Sequence, residues 1–244
     1  MKQHLSVFML SARTAVYKVL ALLVLMAAVQ AALFTAALNA GSTDTAFGLE
    51  AVITRSRLEL VLAVCFLLIS FVLARANTEV SGAYTARRLS VSPQAVFLWQ
   101  SLCGVLVYLL LWAVQVLVIV ALCALFVRLA PPDQVTGQTV FLAFYRSSLL
   151  HCLMPMEDIR CWFANLLLLP ALGLCSARRP EPSVRLVRFC DILFLLTVFV
   201  FKRQIGLMHD HLFVLSSSIT CAAIALYGGL RKEDEANETA PETA

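Results

Sequence analysis

The chain has 244 residues, 61% of them hydrophobic and 14% charged, with a formal net charge of +4. A soluble domain needs a polar exterior that so few charged residues cannot supply, and the mean hydropathy of +0.86 makes lipid the solvent for most of the chain. A helical crossing takes about 20 mostly apolar residues, so roughly six crossings with short loops use up the length. No separate soluble catalytic domain fits beside them.

The apolar runs are continuous rather than alternating, so helices and not a closed barrel satisfy the backbone in hydrocarbon. At the start, Leu5, Val7, Phe8, Met9 and Leu10 stand among Lys2, Gln3, His4 and Arg13. They read either as a short amphipathic helix on the inner membrane surface or as a frayed terminus. The first span is expected at Val16–Leu38. Its apolar region exceeds the about 7–15 residues of a signal-peptide core, so a retained anchor is expected despite the small residues around Ala40. The second span is placed at Leu58–Ala74. The third, Phe97–Val127, is longer than a straight crossing requires and is expected to tilt or to project beyond the bilayer.

The next stretch, Thr139–Met154, is apolar enough to span but carries Arg146 and His151 near its middle and ends at Pro155. Further spans are expected at Cys161–Ser176, Phe189–Phe201 and Leu212–Gly228, with Met208–His211 as a tight turn between the last two. The placement of Lys and Arg decides the topology. Were Thr139–Met154 to cross, the basic stretch Arg178, Arg179, Arg185 and Arg188 would fall outside. If it dips in and returns, or lies in the outer interface, 12 of the 19 Lys and Arg residues become cytosolic. The expected fold is therefore all-α and polytopic. It has about six transmembrane helices, an N-terminal amphipathic helix, an outer re-entrant or interfacial helix and both termini in the cytosol. Residues 1–229 form one membrane domain, and residues 230–244 form an acidic tail of disordered composition.

The eight cysteines lie mostly within or beside spans and show no C-x-x-C spacing, so they read as small apolar residues; only Cys152 and Cys161 are candidates for an outer disulfide. Phosphate loops, nucleophile elbows, zinc-protease motifs and dinucleotide turns are all missing from the sequence. His209-Asp210-His211 is expected to be a solvated turn rather than a metal site, because residues two apart on a helix face different ways. No catalytic, cofactor or metal residues are assigned. The spans hold almost no charge, which argues against a proton-coupled path. Their uncharged polar residues, Gln100, Gln115 and Asn165, either hydrogen-bond between helices or line a substrate path. In the outer segment, Tyr145, Arg146 and His151 form either a lid or an interfacial helix with Arg146 reaching to headgroups.

The most specific stretch is Glu79–Pro93 between the second and third spans, a polar, glycine-containing segment leading into Phe97, Trp99 and Gln100. It resembles the element joining the same two spans in ATP-binding-cassette (ABC) exporter permeases of the type-two class, where a Glu, a Gly, a Leu and a Pro-Val-Ser-like turn recur. Glu79, Gly82, Leu89, Val91 and Ser92 match that pattern. Ser90 stands where Pro is common, and Pro93 comes later. The resemblance extends to the six-span layout, the lead-in helix, the outer segment and the lack of an ATP site.

The resemblance implies that Glu79, Gly82, Tyr84, Arg87 and Arg88 contact a separate ABC ATPase subunit that holds ATP and Mg, with no cofactor in this chain. It also implies a second permease, making a homodimer or a heterodimer, in a cell membrane. An apolar lining of Leu, Val, Phe and Ala favours a hydrophobic or amphipathic cargo such as a peptide, lipid or drug-like molecule. Lipid is an expected partner and nucleic acid is not. The rival readings are a non-transporting accessory or sensor protein, which the inner loops would serve equally well, and an intramembrane enzyme. An enzyme should show paired carboxylates, a His cluster or a Ser/Lys dyad inside spans, and none is present.

Overall fold

A computed structural model describes residues 2–41, 48–82, 92–130, 135–154, 159–177 and 208–230. Among these residues every regular element is an α-helix. They are α1 (Lys2–Gly41), α2 (Leu49–Ser56), α3 (Leu58–Gly82), α4 (Pro93–Leu129), α5 (Thr139–Arg146), α6 (Ser148–Leu153), α7 (Ile159–Ala177) and α8 (Met208–Leu230). Stretches of α1 (Phe8–Ala40), α3 (Leu58–Glu79) and α4 (Gln94–Leu129) are long and apolar enough to cross a membrane. Their outward faces are apolar as well: Val24 and Leu25 on α1, Phe71 on α3 and Leu117 on α4 are exposed. A helix apolar on all sides is matched to lipid, and the chain is a helical, membrane-embedded protein.

Two expectations at helix boundaries are corrected. The lead-in residues do not form a separate surface helix, because α1 continues unbroken from Lys2 to Gly41. No Gly or Pro interrupts the chain before Gly41, and good helix formers carry the hydrogen-bond ladder across the polar segment. The resulting rod is about 60 Å long, twice a hydrocarbon core of about 30 Å. Likewise Met208–His211 is not a tight turn but the first turn of α8.

The apolar stretches Trp162–Ala177 of α7 and Val214–Tyr227 of α8 cover the expected fourth and sixth spans, each as a shorter apolar helix. The expected fifth span, Phe189–Phe201, and the acidic tail from Arg231 onward lie outside the described residues. The segment Thr139–Met154 is divided into α5 and α6 at Ser147, whose backbone is extended. Neither piece is long enough to cross. One helix was not expected at all: α2, where Leu49, Val52, Ile53 and Ser56 form a buried i, i+3, i+4, i+7 stripe. Arg57 in the left-handed region ends α2 and lets α3 begin at once.

The packing follows from these lengths. Ala15, Val19, Leu23 and Met26 of α1 pack with Cys65, Phe66, Ile69 and Leu73 of α3 and with Val107, Tyr108 and Leu111 of α4. A second core lies towards the C-terminal ends of α1 and α4, where Phe34, Leu38, Leu122 and Phe126 meet α2, α5 and α6. The long helices thus carry a cap of three short ones at one end. At the opposite end α4 starts at Pro93 behind Ser92, whose hydroxyl oxygen accepts from the Ala95 backbone N–H at 3.3 Å. That pairing is a strong start signal, since Ser satisfies an orphan donor and Pro has none to satisfy.

Helices α4 and α7 approach through Gly104 and Gly173. A Cβ at Gly173 would sit 2.7 Å from the Ser101 carbonyl oxygen and 2.8 Å from the Val105 backbone nitrogen. Small residues that let backbones approach are how helices associate in lipid, where no hydrophobic force drives them together.

Candidate functional site

Between α3 and α7, with α4 behind, lies a cleft of about 300 Å³. That is the lower end of the range for small-molecule sites, about 300–1,000 Å³. Its back wall is Tyr108, Leu111, Trp112 and Gln115 of α4, and its flanks are Phe66 of α3 and Leu168 and Leu172 of α7. Leu149, Cys152 and Leu153 of α6 roof it. Leu60, Val64 and Leu67 line the cleft and are also exposed on the outer surface of α3. The cleft therefore opens sideways, toward the surface that meets lipid.

Among the described residues, the polar side chains of its back wall are paired across helices, with one exception. The Tyr108 hydroxyl hydrogen-bonds Ser70 Oγ of α3 at 2.9 Å while its ring stacks on Phe66, centroids 5.2 Å apart. Trp112 Nε1–H donates to the Leu153 carbonyl at 3.2 Å and its ring meets Trp162 edge-on. Asn165 Nδ2 of α7 donates to the Cys152 carbonyl at 2.8 Å. The roof helix α6, only six residues long, is thus tied to α4 and α7 by one side chain from each. Gln115 is the exception. It is fully buried, it lines the cleft, and neither its amide nitrogen nor its oxygen has a hydrogen-bond partner among the described residues. The charged residue of the lining is Glu59, half-buried in the first turn of α3.

The three polar residues singled out in the sequence therefore separate. Gln100 is buried and its Nε2 donates to the Asn77 carbonyl of α3 at 3.3 Å. Asn165 holds the roof, and only Gln115 faces the cleft without a partner. In the Thr139–Met154 segment, Tyr145 and Arg146 are exposed, and neither they nor His151 line the cleft. The part of that segment over the cleft is α6. Trp112, Tyr108 and the α6 carbonyls carry no distinguishing sequence signal, because aromatic and apolar residues abound in every span. Replacing Asn165 by alanine is expected to loosen α6 and cost about 0.6–1.7 kcal/mol. Proteolytic accessibility of the 147–154 segment in detergent checks this, with Gln100→Ala as the comparison that leaves the roof closed.

A second set of polar ties lies at the far end of the same helices. Asn77 Nδ2 donates to the Ser176 carbonyl of α7 at 2.8 Å, so Asn77 and Gln100 join α3, α4 and α7. Phe8 of α1 meets Trp99 edge-on, centroids 6.0 Å apart. Glu79 is exposed two residues beyond Asn77, and Gly82 is the last residue of α3. Tyr84, Arg87 and Arg88 lie outside the described residues. Among the described residues Cys152 is in no disulfide and no group of metal-ligating side chains occurs.

No family model, curated protein or solved structure matches the chain.

Proposed function

We propose that this chain is the membrane permease subunit of a two-component ABC exporter, moving a hydrophobic or amphipathic molecule at the expense of ATP held, with Mg, by a separate ATPase subunit. In this reading the chain adopts six spans in the cell membrane, its termini in the cytosol, and works beside a second permease. The observation that carries it is the continuity of α3 and α4, each of which reaches from the cleft to the end that residues 83–91 join. From Glu59 to Glu79 is about 30 Å of uninterrupted helix. The Asn77 and Gln100 ties join α3, α4 and α7 into one body at the end away from the cleft, so a push on Glu79, Gly82, Tyr84, Arg87 and Arg88 would tilt the walls of the cleft together. Helix shifts of this kind are how packed interfaces convert a local displacement into a switch. The chain itself supplies no reacting group; its role is to bind, to move and to couple.

Affinity purification of the tagged chain in mild detergent tests the proposal. A stoichiometric ATPase is expected to co-purify, and Glu79→Ala and Arg87→Ala should each reduce its recovery severalfold without lowering the yield of the chain. A chain that emerges alone from several detergents would sink the exporter reading and leave a non-transporting accessory or sensor protein.

A further inference from the structure

The buried carboxamide of Gln115 has four hydrogen-bonding positions, two donors and two acceptor lone pairs, and none is used among the described residues. Groups left so are costly in a low-dielectric interior. A lone water would not resolve the problem, because a buried water needs two to four polar partners, and the neighbouring wall groups Tyr108 and Trp112 already have theirs. An occupant that is polar at one end and apolar along the rest fits the surroundings. Phe66, Leu168 and Leu172 offer apolar surface only, and the open side between Leu60, Val64 and Leu67 faces lipid.

We propose that the α3–α4–α7 cleft binds a single-chain amphiphile with an uncharged, hydrogen-bonding head, of the monoacylglycerol type, taken laterally from the bilayer with its head on Gln115. The hydrocarbon chain runs along α4 from Gln115 toward Tyr108, about 10 Å of helix. The head is uncharged because its anchor, Gln115, is a neutral amide, and among the described residues no basic side chain lines the cleft to neutralise an anion. One chain enters rather than two, given a volume of about 300 Å³. This deepens the cargo part of the proposed function and rests on it only for transport; binding requires no ATPase.

The test uses the purified full chain in nanodiscs, without ATPase, with Trp112 left as the sole tryptophan by W99F and W162F. A monoacylglycerol brominated on its chain is titrated and Trp112 quenching is read. Saturable quenching is expected, weakened at least about tenfold in Gln115→Leu, a factor equivalent to one lost hydrogen bond. It should weaken as much in Ala63→Phe, which fills the cleft from α3. A brominated fatty-acid carboxylate and a brominated two-chain phosphatidylcholine should give no saturable phase. Non-saturable quenching that both variants leave unchanged would overturn the proposal, reducing it to ordinary lipid contact. Equal saturable quenching by the carboxylate or the phospholipid would overturn the assignment of head or chain number. If Gln115→Leu does not fold, Ala63→Phe decides. An ATPase that fails to co-purify leaves this result untouched, and a negative titration leaves the ATPase association untouched.

Discussion

Gly173→Ala is expected to lower the thermal stability of the chain by about 1–3 kcal/mol, the usual cost of overpacking a tight contact. The added carbon would press on backbone atoms, the Ser101 carbonyl oxygen and the Val105 nitrogen. Backbone within a helix cannot swing aside as a side chain can, so α4 and α7 must part. Parting them also strains the Asn77 bond to the Ser176 carbonyl, which lies one turn further along α7. Gly173→Leu should exceed this range and prevent folding. Gly104→Ala should cost less, because the atom nearest its added carbon, at 2.5 Å, is the Ser176 hydroxyl, which can rotate, although the Gly173 Cα follows at 3.1 Å. Gly48→Ala and Gly137→Ala serve as controls, since nothing lies within 4 Å of either added carbon; both should stay within about 0.5 kcal/mol of the parent. Thermal denaturation of the series in one mild detergent reads the order. A Gly173→Ala chain as stable as Gly48→Ala would mean that α4 and α7 do not approach so closely.

This gradient also explains what a sequence of this kind yields to inspection and what it conceals. The three long helices are legible because apolar length is a one-dimensional property, and the start of α4 is legible because Ser92 and Pro93 act on adjacent backbone. Thr139–Met154 reads as a non-crossing segment only through the placement of Arg178, Arg179, Arg185 and Arg188 further along the chain, whereas its division at Ser147 carries no sequence signal. Helix α2 was legible in principle, since Leu49, Val52, Ile53 and Ser56 keep helical spacing, but Glu50, Arg55 and Arg57 make the stretch look like loop. The merger of the lead-in with α1 was likewise written in the absence of any breaker before Gly41. The roles of Gln100, Gln115 and Asn165 were not legible. All three are polar amides in apolar helices, and only the neighbours that packing brings from α3, α6 and α7 decide which of them is paired.

The same pairing makes Gln115→Leu a substitution with two opposite effects. Leucine keeps a similar volume but needs no hydrogen bond, so removing the unpartnered amide should stabilise the chain by about 1–3 kcal/mol when no amphiphile is present. Binding is expected to change in the other direction, because the polar side chain of the back wall that has no partner among the described residues is lost. The two effects can be separated by the shift that a ligand produces: anything that binds the folded state raises its melting temperature with concentration. Added monoacylglycerol should therefore raise the melting temperature of the parent chain in detergent and leave Gln115→Leu, which starts higher, nearly unchanged. Asn165→Leu provides the contrast, since that amide already donates to the Cys152 carbonyl; its loss should lower stability by untying α6 from α7. If Gln115→Leu proved destabilising as Asn165→Leu does, Gln115 would have a partner within the protein, and the cleft would have no polar anchor to offer. A gain in stability obtained by discarding a group that the fold leaves unsatisfied is the usual mark of a residue kept for binding rather than for folding.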